Sequence, residues 1–260
     1  MKSKVLKIAL ATAVLTGAAP AFANLVYQTG TQQTGTGLGA VSTVVTVQDN
    51  GKGNNQNGTE SGCVAYNSAD PNKPHETCPT AAQLGGPALE GGDNTAGSAG
   101  NNTYFLNTIT GLTSAGQLGF VVNISEGGPG NTATLTDLFL SLYNTTSGMT
   151  SYYRYTGPNL VLGDSGGIGQ SGMHRFVLDD AQAAAAAAFC PTLSNCVVGG
   201  GIQFANGTTE ATPETVYVGA FTRVPGNPGG GEVPEPGSLA LLGVGAMAFG
   251  AMRRRLSAKK

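Results

Sequence analysis

The chain has no tryptophan and is short of charged and aromatic residues. Only 11% of its 260 residues are Asp, Glu, Lys or Arg, and only 7% are aromatic. So little charge argues against a fold built from charged amphipathic helices. Glycine, in contrast, occurs 41 times and is accompanied by many Asn, Thr and Ser residues. This composition favours an extracellular domain of strands and turns.

The first 23 residues have the features of a secretory signal. Lysines at positions 2, 4 and 7 accompany an apolar run over 5–19, and the small-x-small pattern of Ala21 and Ala23 follows just before Asn24. This arrangement predicts a signal peptide over 1–23 that signal peptidase removes. The segment that follows is therefore expected to be exported.

A second apolar segment lies close to the C-terminal end of the sequence. Residues 237–252 are uncharged and mostly apolar, and three arginines follow them directly: Arg253, Arg254 and Arg255. This stop-transfer pattern predicts a short transmembrane helix over 237–252 in the inner membrane, with a basic cytoplasmic tail over 253–260. A buried C-terminal core helix is the alternative interpretation.

The C-terminal segment 233–260 resembles the PEP-CTERM sorting signal of Gram-negative bacteria. The resemblance depends on a proline-rich turn, the apolar helix and the arginine cluster, the turn being Val233, Pro234, Glu235 and Pro236. It implies recognition by an exosortase, a membrane-embedded cysteine transpeptidase thought to cut near the Pro-Glu-Pro. It also implies a membrane-anchored precursor whose product reaches the periplasm, the cell surface or the extracellular matrix. Proteins with this signal are associated with exopolysaccharide, biofilm or floc matrix.

Removal of both ends changes the charge of the chain. All fifteen acidic residues lie between positions 24 and 236, where only five Lys and Arg residues occur, giving a net charge of −10. A surface of this sign repels nucleic-acid phosphates and anionic lipids. We therefore expect neither of them as a partner.

The exported part is expected to form a single domain over 24–224, joined to the sorting signal by a Gly/Pro linker over 225–232. Short strand patterns alternate with glycine-rich turns, which predicts a mainly β fold: a jelly-roll-like β-sandwich. One short alanine-rich helix, with Asp179 and Asp180 at its start, interrupts the pattern. The strand candidates are 41–48, 104–110, 117–125, 133–143, 151–156, 173–178, 201–205 and 215–223.

The chain has four cysteines, an even number that indicates two disulfides in an exported protein. Three connectivities are possible, and proximity in sequence favours pairing Cys63 with Cys78 and Cys190 with Cys196. The Cys-x-x-Cys spacing of zinc sites is missing. No metal site is therefore assigned to these residues.

Residues 163–167, GDSGG, resemble the nucleophile motif of chymotrypsin-like serine proteases, with Ser165 as the nucleophile. A catalytic triad also needs a histidine to accept the serine proton and an aspartate to orient it. The chain offers only His75, which lacks that family's sequence setting, and His174, which follows the serine closely. A solvent loop is favoured, and the chain is not expected to be an enzyme.

Two other groups of residues suggest ligands. Residues 49–60 have the first and twelfth carboxylates of an EF-hand loop but lack the ligands between them, so a flexible polar loop is favoured there. Weak calcium binding is expected only somewhere among the acidic loops of the exported domain. Tyr152, Tyr153 and Tyr155 could form an aromatic platform for sugar rings, or pack with one face in the core. The favoured function is a structural or adhesive matrix protein without a cofactor, and the alternative is a carbohydrate-binding module.

Overall fold

The computed structural model describes residues 25–28, 42–48, 59–71, 73–95, 100–125, 132–163, 172–209 and 213–221. They belong to the first of two units, Met1–Asn227, and the second unit, Pro228–Lys260, is outside these ranges. The predicted signal peptide, linker and transmembrane helix also lie outside the described residues. No helix within the described ranges is long and apolar enough to cross a membrane.

The described part of the chain contains eleven strands and two α-helices. The strands are β1 (Leu25–Gln28), β2 (Ser42–Val47), β3 (Ser61–Val64), β4 (Tyr104–Phe105), β5 (Leu118–Ile124), β6 (Thr132–Asn144), β7 (Met149–Arg154), β8 (Leu160–Gly163), β9 (Gly172–Leu178), β10 (Cys196–Phe204) and β11 (Glu214–Ala220). The helices are α1 (Ala81–Leu84) and α2 (Asp180–Phe189), and three 3₁₀ turns cover Leu106–Thr108, Ala115–Gln117 and Leu193–Asn195. The prediction of a mainly β fold is confirmed.

The strands form two antiparallel sheets. One sheet has the order β1-β9-β5-β11-β2, and the other has the order β3-β10-β6-β7, with β4 beside β10 and β8 beside β6. If β1, β4 and β8 are set aside, the first of the eight remaining strands pairs with the last, and the second pairs with the seventh. This nested order is that of a jelly roll, so the jelly-roll-like sandwich is confirmed.

The core fills the space between the two sheets. Its largest fully buried side chains include Phe120 and Phe176 from one sheet and Leu138, Leu140 and Phe204 from the other. Inward-facing residues alternate with outward-facing ones along each strand, because successive side chains of a strand point to opposite faces. Burial of each such Phe or Leu side chain stabilises the folded state by about 1.5–3 kcal/mol relative to an exposed one.

A smaller hydrophobic cluster covers the outer face of the second sheet. It joins Phe139 of β6 to Leu84 and Leu89, which lie in the long excursion between β3 and β4. The disulfide between Cys63 and Cys78 ties this excursion to β3. The second disulfide joins Cys190 and Cys196 between α2 and β10, so both pairs are those that proximity in sequence favoured.

Helix α2 begins as its sequence predicts. Asp179 is the N-cap, and its Oδ1 accepts a hydrogen bond from the Gln182 N–H at 2.7 Å. Asp180 lies in the first turn, where a negative charge interacts favourably with the helix dipole. The helix buries Ala186 in the main core. The two acidic residues therefore act in helix capping.

Polar side chains close the edges of β2 and β3. Asp93 accepts a hydrogen bond from the Ser61 N–H of β3 at 3.0 Å. Asn101 accepts one from the Thr46 N–H of β2, also at 3.0 Å. Both acceptors belong to the segment that precedes β4, which therefore takes the place of a further strand along this side of the sandwich. Coverage of this kind protects an edge strand from pairing with another chain.

Candidate functional site

The predicted targeting residues lie outside the described part of the chain. This applies to the cleavage site at Ala21, Ala23 and Asn24 and to the sorting residues Val233, Pro234, Glu235, Pro236, Arg253, Arg254 and Arg255.

The residues of the protease-like motif are only partly described. Ser165 lies outside the described residues, whereas the two histidines lie within them. His75 is exposed and pairs through its backbone with Ala65. His174 is buried, and its Nδ1 lies 2.9 Å from the Tyr27 hydroxyl while its Nε2 lies 2.9 Å from the Gly163 carbonyl. His174 thus links β1 to the end of β8, which is a structural role.

The described residues contain no group of three or more His, Cys, Asp or Glu side chains that could hold a metal ion. Of the EF-hand-like stretch 49–60, only Thr59 and Glu60 are described, and both are buried. The Glu60 carbonyl accepts a hydrogen bond from the Phe204 N–H, which fixes the start of β3 beside β10. Weak calcium binding somewhere in the exported domain stays a prediction.

The three tyrosines of 152–155 do not form an aromatic platform. Tyr153 and Tyr155 are 5% and 9% exposed and belong to the main core, where the Tyr155 ring packs edge-on against Phe176 at 5.6 Å. Tyr152 points to the other face of β7, is half-buried and packs edge-on against Phe139. The prediction of an aromatic stacking platform is therefore wrong, because successive side chains of a strand point to opposite faces of the sheet.

An open groove of about 860 Å³ borders β7. Residues 151–154 of β7 and the next three residues, 155–157, line it, so both faces of the strand contribute. One wall is the segment 84–88 at the end of α1, and another is formed by Gln182 and Ala185 of α2. Small-molecule sites commonly have volumes of roughly 300–1,000 Å³. Among the described residues, this groove is the feature best suited to hold a ligand.

The groove contains one ion pair. The Arg154 Nε donates to Asp137 Oδ1 at 2.9 Å, a second short contact joins the guanidinium to Oδ2, and the same group also donates to the Pro87 carbonyl at 2.8 Å. The side chains are only 12% and 11% exposed. The bidentate contact holds the Arg154 side chain in place, and the Asp137 carboxylate balances its positive charge. A lone aspartate within the apolar strand pattern of 133–143 was a sequence signal for such a pair.

The outer edge of β7 presents main-chain groups to the groove. The Tyr155 N–H donates to the Leu138 carbonyl of β6 at 2.8 Å. Hydrogen-bonded pairs alternate along an antiparallel ladder, so the N–H and C=O groups of Tyr152 and Arg154 point away from β6. No described main-chain group bonds to these outward groups. The edge can therefore donate and accept hydrogen bonds.

One residue that lines the groove, Tyr153, carries a buried hydroxyl. The Tyr153 hydroxyl has no hydrogen-bond partner among the described residues, although the residue is 5% exposed. Burial raises the pKa of Tyr153, and the neighbouring Ser151 offsets part of this rise without completing a well-aligned hydrogen bond. An unsatisfied buried hydroxyl costs about 1–3 kcal/mol of folding free energy.

Comparison with known proteins identifies one feature. The family model of the PEP-CTERM protein-sorting motif matches residues 232–255. Neither the curated proteins nor the solved structures include a significant match to the chain. The matched segment confirms the resemblance found in the sequence, and it implies processing by an exosortase. The chain is therefore an exported protein with a PEP-CTERM sorting motif at residues 232–255.

Proposed function

We propose that this protein is a structural or adhesive component of an extracellular polysaccharide matrix, such as a biofilm or floc. The observation that carries the proposal is the sorting motif at 232–255 behind an exported domain. The disulfide-linked jelly roll supports it, because disulfides stabilise domains that work outside the cell. The proposal assigns no catalytic reaction to the protein.

The proposed route has three steps. Signal peptidase cuts between Ala23 and Asn24, the 237–252 segment holds the precursor in the inner membrane, and an exosortase then cuts near Pro234 to Pro236. The basic residues 253–255 fit this order, since positive charge after an apolar segment keeps the tail in the cytoplasm. The released domain then reaches the cell surface or the matrix.

Carbohydrate binding is the second candidate function. The groove along β7 favours it, because the groove combines hydroxyl, amide and main-chain hydrogen-bonding groups with a compensated charge. The two functions are compatible, since a matrix protein can be retained by the polysaccharide around it.

The test is to measure the intact mass of the protein from envelope and matrix fractions of producing cells. The expected product starts at Asn24, ends near Pro234 to Pro236 and occurs in the matrix fraction. A matched variant with Glu235→Ala and Pro236→Ala should stay in the envelope with its C-terminal segment intact. A wild-type protein that retains Lys260 and is missing from the matrix would contradict the proposal.

A further inference from the structure

We propose that the groove along β7 binds a neutral polysaccharide chain, which would lie across the free edge of the strand. The inference rests on the proposed matrix function and names the chemistry of the partner. It depends on three properties of the groove: its balance of charge, its hydrogen-bonding groups and its open shape.

The charge of the groove favours a neutral ligand. Among the described residues, Arg154 and Asp137 are the only charged side chains that line it, and they neutralise each other through a bidentate contact. The guanidinium therefore already donates hydrogen bonds to the Asp137 carboxylate and to the Pro87 carbonyl. The acidic residues that outnumber the basic ones threefold between positions 24 and 236 also repel an acidic polysaccharide.

The hydrogen-bonding groups suit a ligand rich in hydroxyls. A sugar hydroxyl both donates and accepts, and the groove offers both roles side by side in the outward N–H and C=O groups of Tyr152 and Arg154. Thr136 and Ser151 add two more hydroxyls to the lining.

The shape of the groove suits a polymer. It is open to solvent and follows β7 and the residues directly after it, so an extended chain can lie along it. Most exposed residues of the lining are small, being Gly85, Ala88, Gly157 and Ala185 together with proline and threonine. An extended peptide could also pair with the edge, and the polypeptide in the experiment below tests this alternative.

The test uses full-length protein, purified in detergent, and two leucine substitutions on α2. Ala184 and Ala185 are both exposed, but only Ala185 lines the groove. Leucine is nearly as good a helix former as alanine, so both variants should fold, which circular dichroism and the unfolding midpoint will verify. Titration calorimetry then measures binding to dextran, pullulan, laminarin and galactomannan, with alginate as the acidic glycan and reduced carboxymethylated lactalbumin as the extended polypeptide.

The expected result is binding of at least one neutral glycan by the wild type. Ala185→Leu should weaken this binding about tenfold, and Ala184→Leu should change it less than about twofold. The inference is overturned if no neutral glycan binds, if both variants bind like the wild type, or if alginate or the polypeptide binds more tightly. A protein found in the matrix that binds no neutral glycan would overturn this inference alone, whereas a groove that binds glycan in a protein missing from the matrix would overturn the matrix function.

Discussion

The side chain of Asn94 pairs with the main chain of Cys63 as a neighbouring strand would. Its Oδ1 accepts a hydrogen bond from the Cys63 N–H at 3.1 Å, and its Nδ2 donates to the Cys63 carbonyl at 3.2 Å. One amide thus satisfies both outward groups of an edge-strand residue. Together with the hydrogen bonds of Asp93 to Ser61 and of Asn101 to Thr46, this pairing covers the β2–β3 side of the sandwich. The outer edge of β7, in contrast, has uncovered main-chain groups and borders the groove.

Replacement of Asn94 should therefore destabilise the domain. Asn94→Ala leaves the Cys63 N–H and C=O without their partner, and we expect the free energy of unfolding to fall by about 1–3 kcal/mol. Urea denaturation monitored by circular dichroism measures this change. Asn107→Ala is the control, because Asn107 is exposed on a 3₁₀ turn and its replacement should change stability by less than about 0.5 kcal/mol. Equal effects of the two substitutions would contradict this role of Asn94.

The Asp137–Arg154 pair should behave as a coupled unit. Asp137→Leu alone leaves a nearly buried guanidinium without its counter-ion, which should cost about 3–5 kcal/mol. The double variant with Arg154→Met removes both charges and should recover a large part of that loss. A double-mutant cycle by urea denaturation measures the coupling. Strictly additive losses would show that the two side chains act independently.

Tyr153 and Tyr155 should respond oppositely to loss of their hydroxyls. The Tyr155 hydroxyl donates to the Pro158 carbonyl at 2.8 Å, so Tyr155→Phe should destabilise the domain by about 1 kcal/mol. Tyr153→Phe removes an unpartnered buried hydroxyl and should leave stability unchanged or raise it by up to about 1 kcal/mol. The two unfolding midpoints, measured side by side, test this. A marked loss of stability in Tyr153→Phe would mean that its hydroxyl has a partner.

The strands that alternate apolar and polar residues were the predictable part of the fold. The patterns over 117–125, 133–143 and 173–178 correspond closely to β5, β6 and β9, because one face of each strand must meet the core. The helix start at Asp179 was also predictable, since capping is a local interaction. Strands β1, β3 and β8 were missed, as they have only four residues each and too little pattern to recognise.

Strand β10 was predicted too short, and glycine is the reason. The prediction began at Gly201, whereas the strand starts at Cys196 and includes Gly199 and Gly200, which resemble turn residues in sequence. A Cβ at Gly200 would lie 2.7 Å from the Phe120 ring of the opposite sheet. The glycines therefore allow the two sheets to approach, a requirement that depends on residues distant in sequence.

The candidate groove was harder to predict than the strands. The pattern of 151–156 indicated a strand with alternating faces, but the choice of Tyr153 and Tyr155 for the core depends on what covers each face. The 104–110 pattern shows the same limit: β4 ends at Phe105, and a 3₁₀ turn follows over Leu106–Thr108. The groove itself brings segments around 84, 137, 154 and 182 together, and only the tertiary fold determines that meeting.

Alkaline pH should lower the free energy of unfolding of the domain. Burial raises the pKa of six tyrosines above the ordinary value of about 10, namely Tyr27, Tyr104, Tyr152, Tyr153, Tyr155 and Tyr217. In the unfolded chain these phenols lose their protons near pH 10, while the folded domain still holds them. The unfolded state then binds fewer protons, so the stability that is fully present below about pH 10 decreases as the pH rises through the raised values.

The urea midpoint, measured at intervals from about pH 8 to pH 11, should therefore be constant at first and then fall above about pH 10. Tyr153→Phe should reduce the steepness of the fall, since it removes one of the buried phenols. A midpoint that stays constant or rises over this range would mean that the tyrosines ionise as readily in the folded domain as in the unfolded chain.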